Sequence, residues 1–195
     1  MPFRNLSKTL LLIIIWVSFF LLFPYGSVRG ETAKDIIWQK IVTKYTIICY
    51  QTQEDLKEFS KHVDYYPGEW GIKRLFPSSD SNDLINNLKK KVDALYERVQ
   101  EILDMRKKMK KVTINIYNNK EQLHAAYFDI YKKNYQYKAW YIYEYHVIYV
   151  NSDDINEGIL AHEMAHSIID QYLTVRPPRV TAEILARYVD SHLFD

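Results

Sequence analysis

Ile159-Leu160-Ala161-His162-Glu163-Met164-Ala165-His166-Ser167-Ile168-Ile169 sets an H-E-x-x-H pattern inside an apolar, helix-compatible run. Residues four apart lie on one face of a helix, so His162 and His166 can point at one metal ion. Glu163 follows the first histidine and can reach a water on that ion. Two imidazoles and a neighbouring carboxylate are the donor set and general base of zinc-dependent hydrolysis. The competing reading is two ordinary helix histidines beside a surface glutamate. A third protein ligand and a suitable fold decide between them.

Catalytic zinc takes three protein ligands and leaves one position for water. Downstream of His166 the candidates are Asp170, Glu183, Asp190 and His192. Asp170 follows one turn after His166 on the same helix, which suits a supporting or surface role better than closing a tetrahedron. Glu183, Asp190 and His192 share the last predicted helix. Glu183 and His192 differ by about 180° around its axis and cannot both face the metal. Glu183 and Asp190 share a face, two turns apart. Glu183 is best placed, early in a helix that follows the turn at Arg176-Pro177-Pro178.

Ala161 to His166, then Pro177-Pro178, then Glu183-Ile184-Leu185-Ala186-Arg187-Tyr188 resemble the peptidase MA-like group of gluzincin metallopeptidases. The specific match spans about residues 159–190 and a looser one about 112–195. The resemblance implies His162, His166 and Glu183 as zinc ligands and Glu163 as the general base. It also implies an α+β, zincin-like catalytic domain. Its small mixed or antiparallel sheet would lie beside an active-site helix and a third-ligand helix. Two positions depart from the group. Ile184 stands where Gly is frequent. Arg187 replaces an acidic partner of the ligands, a part left to Asp190 or Asp170. Larger gluzincins carry a further C-terminal subdomain that supplies a Tyr or His to the oxyanion, so the resemblance is to a minimal form. Here Tyr145, His146 and Tyr188 are the candidates for that contact. A metzincin is excluded by the missing H-x-x-G-x-x-H extension and by the absence of any Met after Met164.

Residues 1–30 read as a signal peptide or N-terminal anchor. Arg4 and Lys8 precede an apolar run, Leu10 to Phe23, broken by Pro24 and Gly26. As a helix that run spans only ~21 Å, short of a ~30 Å hydrocarbon core. Cleavage is therefore expected, with a secreted, periplasmic or otherwise extracytoplasmic protein. An uncut leader would anchor it to the membrane instead. The formal charge is +2 for the whole chain. Removing residues 1–30 takes away Arg4, Lys8 and Arg29 and no acid, leaving −1. No electrostatic case for nucleic acid survives. Residues 31–195 are enough for one domain with its own core. The lone cysteine, Cys49, sits in an apolar run and allows no internal disulfide.

The remaining pattern sets the elements. Residues 31–43 suggest a short lead-in helix or loose arm. Tyr45–Tyr50 reads as a strand, Glu54–His62 as a helix and Asp83 to about Lys108 as a long helix. Val112–Tyr117 is a half-buried strand and Glu121–Lys133 a helix. Ala139–Tyr143 and His146–Asn151 form two strands joined through Glu144-Tyr145. His146–Val150 is the expected edge strand for an extended substrate. A helix opened by Asn151-Ser152-Asp153-Asp154 runs to about Leu173, and a last one covers Thr181–His192. Between Pro67 and Asn82, Trp70, Leu75 and Phe76 are expected to tuck onto the core. The tyrosine-rich stretch 131–149 implies cross-strand packing, or else a glycan-stacking surface.

The function expected is an exported zinc metallopeptidase acting on a peptide or protein substrate. A non-catalytic binding module of the same fold at the cell envelope, or a hydrolase of a cell-wall peptide amide, are the competing readings.

Overall fold

A computed structural model describes residues 37–66 and 81–195. The leader over residues 1–30 and the segment with Trp70, Leu75 and Phe76 lie outside the described residues. The rest is an α+β arrangement of five strands and five helices. In chain order these are β1 (Gln39–Val42), β2 (Thr46–Tyr50), α1 (Gln53–His62), α2 (Ser81–Ile102), β3 (Val112–Tyr117), α3 (Lys120–Tyr131), β4 (Ala139–Ile142), β5 (Val147–Asn151), α4 (Glu157–Tyr172) and α5 (Arg179–His192).

The sheet order is β1-β2-β3-β5-β4. The three central strands β2, β3 and β5 run parallel, and β1 and β4 pair antiparallel at the two edges. Strand alternation decides the two faces. Ile48, Ile114, Ile116, Ile148 and Val150 point one way and are fully buried. They meet the apolar stripes of the helices: Leu56 and Phe59 of α1, Leu88, Val92, Leu95 and Val99 of α2, and Leu160, Met164 and Ile168 of α4. The opposite face carries Tyr117, Tyr149 and Trp140, and Leu123 of α3 packs there. The rings stack on one another: Trp140 on Tyr149 at 4.8 Å, Tyr127 edge-on to Trp140 at 5.1 Å, and Tyr135 on Tyr137 at 4.1 Å. The tyrosine-rich stretch thus builds a second small core, with Tyr135 at its exposed end.

Four expectations are corrected. Residues 39–42 form a strand, not a helix or arm; Ile41 faces the core and its neighbours do not. Its link to β2 is held from α2, where the Asp93 carboxylate accepts from the Thr43 hydroxyl at 2.6 Å and from the backbone N–H of Lys44 and Tyr45. Second, α2 stops at Ile102 rather than near Lys108. Asp104 turns left-handed at φ 51°, and the N–H groups of Asp104 and Met105 close back onto the carbonyls of Glu101 and Gln100. These paired bonds satisfy the last carbonyls of the helix and end it.

Third, His146–Val150 is not the edge. β5 pairs on both sides, with β3 and with β4, and β4 is the outer strand. The tight turn Tyr143–His146 folds β4 back on the outside of β5. The start of α4 also shifts. Asn151 accepts from the N–H of Asp153 and Asp154 and so builds a turn, while Asn156 caps the helix by accepting from Ile159 N–H at 2.9 Å.

Candidate metal centre

α4 buries Leu160, Ala161, Met164, Ala165, Ile168 and Ile169 against the sheet and α2. That leaves His162 and His166 on its outer flank, with their rings 5.0 Å apart. α5 crosses this flank, held by the fully buried Ala186 and Val189. Glu183 lies 60° around the axis from Ala186 at ~100° per residue, at the boundary between the buried face and the open one. The packing of α5 therefore brings the Glu183 carboxylate over the two imidazoles.

One donor atom each from His162, His166 and Glu183 lies within 4.8 Å of the others. His162 Nε2 is 3.5 Å from Glu183 Oε2, and His166 Nε2 is 3.7 Å from Glu183 Oε1. Zinc–nitrogen and zinc–oxygen bonds of about 2.1 Å at tetrahedral angles require donor separations of about 3.4 Å. These two separations, one to each Glu183 oxygen, fall close to that edge length, and one donor atom from each residue lies within 4.8 Å of the others. The donor types are those zinc prefers, and the three residues could hold the ion.

The Nδ1 of His162 sits 3.0 Å from Asp190 Oδ2. A carboxylate there accepts, so Nδ1 carries the proton and Nε2 keeps its lone pair for a metal. From the sequence, Asp190 was one of two residues, with Asp170, left to act as the acidic partner of the ligands, and here it stands beside His162. Asp170 is placed otherwise: its nearly buried carboxylate pairs with Arg176 Nε at 3.3 Å, away from this bond.

Glu163 points toward the edge strand, where a backbone hydrogen bond with Tyr141 partly stabilises its charge. Burial outweighs this and the attraction of His162, and pushes the carboxyl up to about 7. Burial also holds His166 down, to about 4, with His162 adding to the effect. Without a metal, the site therefore favours a neutral imidazole at His166 and a protonated Glu163 in mildly acidic solution.

Of the oxyanion candidates, Tyr145 projects from the β4–β5 turn and is 69% exposed. His146, at φ 52°, is pinned by the Tyr141 hydroxyl at 3.0 Å. Tyr188 packs at a tilt against His192, ring centres 4.0 Å apart, about 140° around α5 from Glu183. None of these contacts carries a side chain to the donor cluster. His62 spans to the Ser152 carbonyl at 2.8 Å, a structural tie between α1 and the end of β5.

Two residues near the cluster were not singled out as site residues from the sequence. Arg179 and Arg187 lie one turn before and one turn after Glu183. They line a single concavity of about 300 Å³ together with Val180, Glu183 and Ile184. Their four-residue spacing from Glu183 was the available signal. No protein-family model, curated protein or solved structure matches this chain.

Proposed function

We propose that the protein is an exported zinc metallopeptidase of the gluzincin type, with a zincin-like fold. The observation that carries the reading is the convergence of His162, His166 and Glu183 within 4.8 Å. Glu163 stands one residue from the first donor and faces the edge strand. Zinc held by these three residues supplies Lewis acidity to a water and to the substrate carbonyl.

The chain's own residues do the rest. Asp190 fixes the tautomer and angle of His162. Glu163, as carboxylate, accepts the proton of the attacking water and delivers it to the leaving nitrogen. A half-buried carboxyl with a raised affinity for protons suits both halves of that transfer. β4 has no strand partner on its outer side among the described residues. Its free backbone groups can take an extended peptide by strand addition, beside Glu163. This moves the substrate platform from β5 to β4. Export rests on the apolar, basic-flanked N-terminus. Among the described residues, no helix is long and apolar enough to cross a membrane.

The test joins metal analysis to cleavage of a mixed peptide library, for wild type, Glu163→Gln and Glu183→Ala. About one zinc per chain is expected in wild type, with cleavage. Glu163→Gln keeps the metal and loses cleavage. Full zinc in Glu183→Ala would remove the ligand assignment. Full zinc without cleavage in wild type would favour the binding-module reading.

A further inference from the structure

We propose that the concavity beside Glu183 binds a carboxylate of the substrate, making this a site for peptides with an acidic side chain or a free C-terminus near the reacting bond. The inference rests on the metallopeptidase reading and adds the substrate's charge to it. Its first ground is placement. Arg179, Val180, Glu183, Ile184 and Arg187 line one concavity. The concavity shares Glu183 with the donor cluster, and the two arginines stand one helical turn to either side of it.

The second ground is that both groups are available. Arg179 Nε lies 3.9 Å from Glu183 Oε1, too far for a hydrogen bond, and its side chain is 83% exposed. The Arg187 guanidinium has no hydrogen bond or ion pair among the described residues. Arg176, by contrast, is taken up by Asp170 and by the face of Tyr143, 4.3 Å away. Arginine presents a planar fork of donors that matches a carboxylate in two-point contact.

The third ground is the sign of the charge. Glu163, Glu183 and Asp190 together outweigh a divalent cation by one negative charge. Arg179 and Arg187 reverse that to one positive. A substrate arriving at the metal therefore meets a field that favours anions. Val180 and Ile184, 70% and 62% exposed, form an apolar shelf between the arginines, where the stem of an acidic side chain or an aliphatic neighbour can rest.

The experiment uses the full chain as the zinc-loaded Glu163→Gln variant, so that binding is read without turnover. Four ten-residue peptides share one Ala/Val scaffold, with Glu or Gln at the centre and a free or amidated C-terminus. Isothermal titration should show the carboxylate-bearing peptides binding about fivefold or more tighter than the uncharged one, the scale of one or two exposed charge-assisted contacts. The Glu/amide and Gln/free-end peptides separate a side-chain carboxylate from a chain end. Adding Arg179→Gln and Arg187→Gln should bring the preference close to one while zinc content stays the same. Raising the salt to 0.5 M should shrink it too. Equal binding of all four peptides, no binding of any, or a preference that survives the double substitution would overturn the proposal. Zinc content in the same samples keeps the two readings apart. A zinc-free chain defeats the metallopeptidase reading, whereas full zinc with charge-blind binding defeats only this one.

Discussion

At His166 and Glu163, burial acts in opposite directions on the two proton equilibria. Glu163 rises from 4.5 to about 7, so the folded chain holds a proton that the unfolded chain gives up. That stabilisation is fully present below 4.5 and is lost as the pH rises through about 7. His166 falls from 6.5 to about 4, so the folded chain excludes a proton that the unfolded chain takes. Its stabilisation is fully present above 6.5 and is lost as the pH falls through about 4. Between about 4.5 and 6.5 the two slopes oppose and largely cancel. The single variants should expose them in chelator-stripped protein. Glu163→Gln should lose stability on acidification through this window, and His166→Gln on alkalinisation, each on the order of 1–3 kcal/mol. Urea midpoints at several pH values measure this. Slopes of the same sign in both variants would refute the account. The same residues show what was legible locally. A spacing of four placed His162 and His166 on one face. Asp190, seven on from Glu183, was legible as a face-mate and as one of two choices, with Asp170, for an acidic partner of the ligands; choosing between them depends on how α4 and α5 cross. Arg187 read as a departure from the gluzincin pattern; its place in the concavity needed the fold.

Elements were legible where apolar periodicity ran long, and misread where a few polar contacts overrule it. The stripe Leu84 to Leu103 specified α2, but the stop after Ile102 comes from Asp104 turning left-handed, which no periodicity announces. The bounds of α1 show the opposite case, a local signal that the fold uses fully. Thr52 and Asp55 form a capping box: the Thr52 hydroxyl accepts from Asp55 N–H and the Asp55 carboxylate from Thr52 N–H. The carboxylate also accepts from the Asn118 amide at 2.7 Å, which ties the head of α1 to the end of β3. Asp55 is only 1% exposed, so its removal strands two donors where water cannot reach them freely. Asp55→Ala should cost about 2–3 kcal/mol, and Asp55→Asn clearly less, since an amide oxygen still accepts one of the two bonds. Chemical denaturation of both variants checks it. A loss below about 0.5 kcal/mol for the alanine would mean that α1 is held by Leu56 and Phe59 alone.

The strand order of the whole molecule could not be read from its pattern. β4 and β5 are both short, apolar and aromatic, and nothing in either says which one β3 will pair with. That single choice moved the edge, and with it the proposed substrate platform, from β5 to β4. The architecture also separates what holds the fold from what would hold the metal. The core of Ile48, Ile114, Ile148, Phe59, Leu95, Leu160 and Met164 is complete without His162, His166 or Glu183, which sit on the flank between α4 and α5. Zinc should therefore strengthen a chain that already folds, by fastening α5 to α4, rather than create the fold. A ligand bound only by the native state adds about 2.7 kcal/mol when its free concentration is 100 times its Kd. For a domain of this size each kcal/mol moves the melting temperature by about 2–4 °C, so zinc should raise it by ~5–10 °C. Chelator-treated wild type should still melt cooperatively, at the lower temperature. Glu183→Ala should melt close to that lower value with or without zinc, because it loses the donor that α5 contributes. Differential scanning calorimetry on the three samples decides it. A chelated chain with no cooperative transition would mean that the metal is part of the core. An equal zinc shift in Glu183→Ala would mean that α5 is not bound to the ion at all.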